Sequence, residues 1–330
     1  MTALLVTKFK TQIDMKKFFF AFTALAAIAA CNKAEVIDVT SDNIIGFNAP
    51  FVDNATKSIN NDYSGEKVLE GFKVYGTITG NLETVNLFKD VEIVRPEGDN
   101  VWGQVWAYKN ESDVEYWLPG CTYEFAAIVD GSVSETDGYT STGMPAKINY
   151  TVGDGDLLYA KATASTVGTA NPGLVEFSFT HLLSKVYFTI DDQLTTDDGD
   201  YTYSMTDIKV SGIPASGVYT VGTTVDNGTW TAGTGTIADS DALNFGKDEG
   251  MNSYQIIPAE QTMNIKFTYD IIFKRTPIST IVVDEELTYT FAQKTVYNIN
   301  VTLPALGNKI EFTVKSVPGG FTSAGSDINI

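Results

Sequence analysis

The apolar residues of this 330-residue chain recur with a period of two, and that period restricts the fold more than any other feature. The clearest run is Met263, Ile265, Phe267, Tyr269, Ile271 and Phe273, with Asn264, Lys266, Thr268 and Asp270 between them. Successive side chains of a strand point to opposite faces, so this spacing makes one apolar and one polar face. On a helix it would scatter the apolar residues around the axis. Phe72-Val74-Gly76-Ile78, Val101 to Tyr108, Tyr123-Phe125-Ala127-Val129, Val175-Phe177-Phe179, Val186-Phe188-Ile190, Leu287-Tyr289-Phe291, Tyr297-Ile299-Val301-Leu303 and Ile310-Phe312-Val314 repeat the pattern. Turn residues separate the runs, as at Asp130-Gly131, Asn171-Pro172-Gly173, Asp198-Gly199 and Asn227-Gly228. Many short strands without a strand–helix–strand rhythm predict an all-β protein of antiparallel β-sandwiches.

The first 31 residues read as an address. Lys16-Lys17 form a cationic start, and Phe18 to Ala30 is uncharged. That run is shorter than the ~20 apolar residues a bilayer-crossing helix needs, which identifies it as the apolar region of a signal peptide. Met15 is the expected start, because residues before it add nothing a signal needs. The run ends in Ile28-Ala29-Ala30-Cys31, which resembles a bacterial lipobox with cleavage between Ala30 and Cys31 and lipid on Cys31. An ordinary secretory signal is the alternative. Two acyl chains convert marginal membrane binding into stable anchoring, at about 0.8 kcal/mol per buried methylene. Asn32, and no aspartate, follows the cysteine, which favours the outer membrane as the location. With Cys31 lipidated, Cys121 is the one cysteine left, so the cores must stand without an intramolecular disulfide.

The remaining ~300 residues suffice for one large or two medium domains. Gly153-Asp154-Gly155 is the expected junction, dividing an N-terminal sandwich over 32–155 from a C-terminal one over 156–330. Val218 to Ser240 is rich in Thr and Gly and is expected to form a surface excursion or hairpin of the second unit, with a binding loop as the alternative.

The chain carries a net charge of −19. Residues 1–30 hold four lysines and one aspartate, so 18 basic and 40 acidic residues remain, a net of −22. No Lys/Arg cluster exists to neutralise phosphates, which excludes nucleic acid as a partner. Arg95 and Arg275 are the only arginines. The chemistry-bearing residues are sparse. One histidine, His181, leaves no multi-histidine metal site and reads as a structural hydrogen-bonding residue at a strand start. Cys121 has no local base, and no nucleophile elbow, phosphate loop or dinucleotide fingerprint occurs. The acidic clusters Asp191-Asp192, Asp197 to Asp200 and Asp284-Glu285-Glu286 are expected to flank turns. Asp154-Gly155-Asp156 and Asp197 to Asp200 are weak calcium candidates that lack the full loop spacing. The expectation is a non-enzyme without cofactor or metal.

Several segments, taken in order, resemble the fimbrillin-like (Mfa-like, type V pilin) family of Bacteroidetes. Ile45-Gly46-Phe47 through Ala55-Thr56-Lys57-Ser58 resembles its opening, and Phe72-Lys73-Val74-Tyr75-Gly76 the strand that follows. Tyr116-Trp117-Leu118-Pro119-Gly120 and Tyr123-Glu124-Phe125-Ala126-Ala127 are similar to a later pair of motifs. Asp156-Leu157-Leu158-Tyr159-Ala160, followed by Val175 to Val186 with His181 inside it, is the strongest match. The resemblance implies two transthyretin-like β-sandwiches and assembly by donation of a strand between subunits. It also implies maturation of a lipidated precursor by cleavage after a basic residue that removes the first strand. Lys57 occupies that position, where the family's Arg-specific protease would not cut. The expected partners are other pilin subunits or further copies of the chain, with the outer membrane reached through the lipid.

The alternation Ile45-Phe47-Ala49-Phe51 predicts the removable strand itself, with Ile45, Phe47 and Phe51 in a core groove and Asn48 outside. Ile310 to Ile330 is either the donated strand or an ordinary last strand of its own domain. The competing reading is an outer-membrane lipoprotein adhesin that binds a glycan or host ligand through Trp102, Trp106 or Trp230.

Overall fold

The computed structural model describes residues 43–52, 69–80, 83–95, 105–153, 155–197, 199–247, 251–305 and 309–318, with no side-chain description for 317 and 318. Ala30, Cys31, Lys57, Trp102 and Asp154 lie outside the described residues, as do Asp198 and residues 319–330. Among the described residues nineteen strands form four sheets, two short 3-10 turns interrupt them, and no α-helix occurs. The all-β expectation is met.

The first sheet runs β1 (Phe51–Val52), β8 (Ser178–His181), β7 (Leu158–Ser165), β5 (Thr122–Val129), β2 (Gly71–Thr79), β3 (Thr84–Val94), β4 (Ala107–Tyr108). A small second sheet joins β6 (Lys147–Thr151), β12 (Ser216–Thr220) and β13 (Thr229–Ala232). The third orders β10 (Tyr201–Met205), β16 (Glu260–Phe273), β11 (Ile208–Ser211) and β14 (Leu243–Gly246), with β17 (Thr276–Thr290) added on β16. The fourth orders β15 (Tyr254–Ile256), β9 (Ser184–Asp192), β18 (Thr295–Leu303) and β19 (Glu311–Pro318). Most ladders are antiparallel, but β1–β8 and β9–β18 are parallel.

Period-two alternation maps onto one-sided burial where a strand has one covered face. In β16 the buried residues are Gln261, Met263, Ile265, Phe267, Tyr269 and Ile271, each flanked by half-buried ones. They pack against Val186, Phe188, Ile299 and Val301 from the fourth sheet, which makes a sandwich core. In β2 and β5 burial is continuous, over Val74–Ile78 and Phe125–Val129. Both faces of the first sheet are covered there, and a strand between two layers has no polar side. One face carries Phe72, Val74, Phe88 and Phe125 into an aromatic core. The other carries Tyr75, Ile128 and Tyr159 against Ile148, Tyr150 and Tyr219 of the second sheet.

That second sheet crosses the expected division of the chain. β6 pairs residue by residue with β12, from Lys147–Thr220 to Thr151–Ser216. Strands β7 and β8, which lie beyond Gly155, pair with β5 and with each other inside the first sheet. The expected boundary at 155/156 falls in the connection between β6 and β7, with strands of the first sheet on both sides of it, and β9, which begins at Ser184, is the first strand of the fourth sheet. The Thr/Gly-rich stretch from Val218 does form a hairpin, but not a free one. Tyr219 is fully buried and the Trp230 Nε1 donates to the Leu182 carbonyl at 2.8 Å, so this hairpin clamps the two parts together.

Candidate assembly site

Residues 43–52 form an extended segment threaded between two stretches of chain. On one side, Ile45 N–H donates to the Glu115 carbonyl (2.9 Å), Trp117 N–H to the Asn43 carbonyl (2.8 Å) and Trp106 N–H to the Phe47 carbonyl (2.9 Å). On the other, Val175 N–H donates to Gly46 (2.8 Å), Asn48 N–H to Val175 (2.9 Å) and Phe51 N–H to Phe177 (2.9 Å). The Tyr108 hydroxyl donates to the Ile45 carbonyl at 2.6 Å. Residues 43–48 thus run between hydrogen-bonded neighbours on both sides and are central, although they lie near the start of the chain.

Its side chains enter the aromatic core. Ile45 and Phe47 are fully buried and Ala49 nearly so. The Phe47 ring lies 5.8–6.3 Å from the rings of Phe72, Phe88, Tyr108, Phe125 and Phe177, edge-on to the first four and stacked on the last. Such geometries add about 0.5–1.5 kcal/mol per pair beyond area burial. Gly46 permits the close approach, because a Cβ there would lie 2.6 Å from Leu174 Cδ2. Asn48 points outward, as alternation requires, and its Nδ2 donates to Glu176 (3.0 Å). Phe51 departs from expectation: it is half-buried, because the segment leaves the core at Ala49 and continues as β1 on the edge of the first sheet. Beside Asn48 a cleft of about 680 Å³ opens between Ala162–Ala164 and Pro172–Glu176, with Trp117 in its wall.

Three features make the occupied groove imperfect. The indole N–H groups of Trp106 and Trp117, both on chain that pairs with the segment, are buried and find no acceptor. A buried donor left without a partner costs about 1–3 kcal/mol. Glu115, whose carbonyl holds Ile45, is the third: burial, with a smaller contribution from Asp113, pushes its carboxyl up to about 7.

The remaining candidates are structural. His181 is buried and its Nδ1 lies 2.6 Å from Asp156 Oδ2, which is also fully buried. The pair fastens the end of β8 to the chain two residues before β7, and Asp156 is turned into the core instead of towards a calcium loop. Asp192 accepts from the amides of Leu194 and Thr195, a turn as expected. Asp284-Glu285-Glu286 does not flank a turn; it lies mid-strand in β17. No cluster of three metal-ligating residues occurs among the described residues. Cys121 is buried beside Thr166. Trp106 is core, and the half-buried Trp230 packs its ring against Tyr150 and Tyr219 and donates its Nε1 to the Leu182 carbonyl.

The family model described as fimbrillin-like matches residues 58–316, and the chain belongs to that family. Its fold is similar to a fimbrial protein from Bacteroides vulgatus, at 18% identity and a TM-score of 0.56, over 84% of this chain and 99% of that one. It is also similar to a protein assigned to cell adhesion from Bacteroides uniformis, at 18% identity and a TM-score of 0.53, over 85% and 99% of the two chains. No curated protein sequence matches.

A raised carboxyl pKa fixes a sign. The fold favours the neutral form of Glu115, so its contribution is full below the ordinary carboxyl value and is lost as pH rises through about 7. The denaturation midpoint of the wild type should fall between about pH 5 and pH 8 relative to that of Glu115→Gln, which cannot ionise. Parallel pH profiles for the two proteins would show that Glu115 does not tune the hold on residues 43–52.

Proposed function

We propose that this chain is a subunit of a cell-surface pilus or related adhesive fibre, built of two transthyretin-like sandwich units and assembled by strand exchange. The observation that carries the reading is the central placement of residues 43–52. A segment bonded on both sides and filling the core with Phe47 leaves an apolar groove with unpaired amides and carbonyls when it departs, and an extended strand of another subunit satisfies both. Lys57 lies just beyond the segment, so cleavage there severs the covalent tie without touching the groove. The junction of the two units falls, on this reading, between His181 and Ser184.

The C-terminus is the proposed donor. β19 pairs only with β18 among the described strands, and Ile310, Phe312 and Val314 are half-buried, so detaching it costs less than detaching a central strand. The unpartnered indoles of Trp106 and Trp117 support exchange, since a different strand can bring the acceptors that residues 43–52 lack. Function then rests on binding and assembly, without catalysis. Membrane attachment through Cys31, after cleavage at Ala30, completes the proposal and places the precursor at the outer membrane.

Two experiments address these points. Protein cut after Lys57 should form oligomers larger than dimers at micromolar concentration while uncut protein does not, and deletion of residues 310–330 should suppress them. Cut protein that stays monomeric refutes assembly by exchange. Separately, Cys31→Ser should abolish palmitate incorporation and release the protein from the outer membrane, and unchanged labelling would refute the anchor.

A further inference from the structure

The β16–β17 hairpin presents a long sheet edge. β17 pairs with β16 along its whole length, and with no other described strand. Its outer face exposes Ile278 (53%) and Val282 (73%), two of the five exposed large hydrophobics among the described residues. Charge along the edge is segregated. Lys274 and Arg275 form the hairpin tip, and Asp284-Glu285-Glu286 lie further along. Both tip residues have positive φ, 46° and 71°. A two-residue turn of this kind favours Asn-Gly, so basic side chains there are held at a cost in strain; Lys274 Nζ lies 3.3 Å from Asp200 Oδ2 of its own chain, and Arg275 is exposed.

We propose that this edge is a self-complementary interface through which two copies of the chain pair antiparallel about Thr280. One register satisfies every feature. With Thr280 on the twofold axis, Ile278 lies opposite Val282 of the second copy, and Val282 opposite Ile278. Beyond the ends of the ladder, the same register brings the Lys274–Arg275 tip alongside Glu285 and Glu286 of the second copy. Directly opposed apolar and opposite-charge pairs are the stabilising units of an antiparallel ladder. Any neighbouring register loses the apolar pair, and like charges meet in registers centred on the acidic stretch. Pro277, with no N–H to give, ends the ladder, and the bulge between the pairs Ile271–Ser279 and Ile272–Pro277 puts Ile278 outside the β16 register. A proline, a bulge and charges ordinarily blunt an edge against indiscriminate pairing. Here they restrict it to a matching copy. A ladder over 278–282 buries less than the ~1,200 Å² of a standard interface, so the association is weak and suits subunits held close together on one surface.

Sedimentation of the intact protein tests this, at concentrations up to about 1 mM and at ~50 and ~500 mM salt. The wild type should dimerise weakly at low salt and less at high salt. Lys274→Glu/Arg275→Glu and Glu285→Lys/Glu286→Lys should each weaken self-association by about tenfold or more, because like charges then face each other. Mixed together, the two variants should form a heterodimer as tight as the wild-type dimer, since every opposed pair is again unlike. That recovery also shows both variants to be folded. A wild type that stays monomeric, a dimer indifferent to either variant, or variants that fail to pair on mixing would each overturn the interface.

Discussion

The first sandwich depends on the insertion of Phe47 among five aromatic rings. Full burial of Phe47 and Ile45 contributes about 2–3 kcal/mol each. The eight hydrogen bonds described for the segment add about 1 kcal/mol apiece. Ordering ten residues opposes these terms with about 10–20 kcal/mol. The terms nearly cancel, so covalent connection to the rest of the chain decides whether the segment stays. While the chain is intact the segment sees its groove at high effective concentration; once it is severed, that advantage is gone. On the proposed assembly, the same strand would be part of the core before cleavage and replaceable after it.

The geometry around the segment favours exchange over simple loss. Its neighbours at Trp106, Trp117, Val175 and Phe177 share one core cluster with Ile45, Phe47 and Ala49 and with the strands behind them. Two buried indole N–H groups on the chain that flanks the resident strand find no acceptor. At the other end of the molecule β19 is attached by one ladder and half-buried side chains. In the proposed assembly, the segment over residues 43–52 is the part replaced and β19 the part donated. The edge of β17 is a separate surface, and its pairing would join subunits laterally without using the groove.

Strand content and the segment itself were legible in the sequence because both follow from local periodicity. Met263 to Ile271 alternate in burial as their spacing requires, and Ile45, Phe47 and Asn48 fall on the expected faces. Partners were not legible, since a period of two identifies a strand and says nothing about what lies beside it. The β6–β12 ladder joins residues about seventy positions apart, and the glycine-rich turn expected as a junction has strands of the first sheet on both sides of it. Asp156 beside Gly155 has the look of a loop carboxylate, and only the fold brings it to His181. Asp284 to Glu286 resemble turn residues for a related reason: an exposed sheet edge and a turn both put carboxylates in water. Phe51 keeps the alternation but not the burial, because the segment changes layer after Ala49.

The central claim is that residues 43–52 are held non-covalently in a preformed groove once the chain is cut. A labelled synthetic peptide of residues 43–52, added to protein nicked after residue 57, measures this directly. The account predicts one peptide bound per protein, displacing the resident segment, and a Phe47→Ala peptide weaker by about 100-fold, the equivalent of ~3 kcal/mol for an emptied aromatic site. No uptake of the peptide, or equal binding of the two peptides, would contradict it.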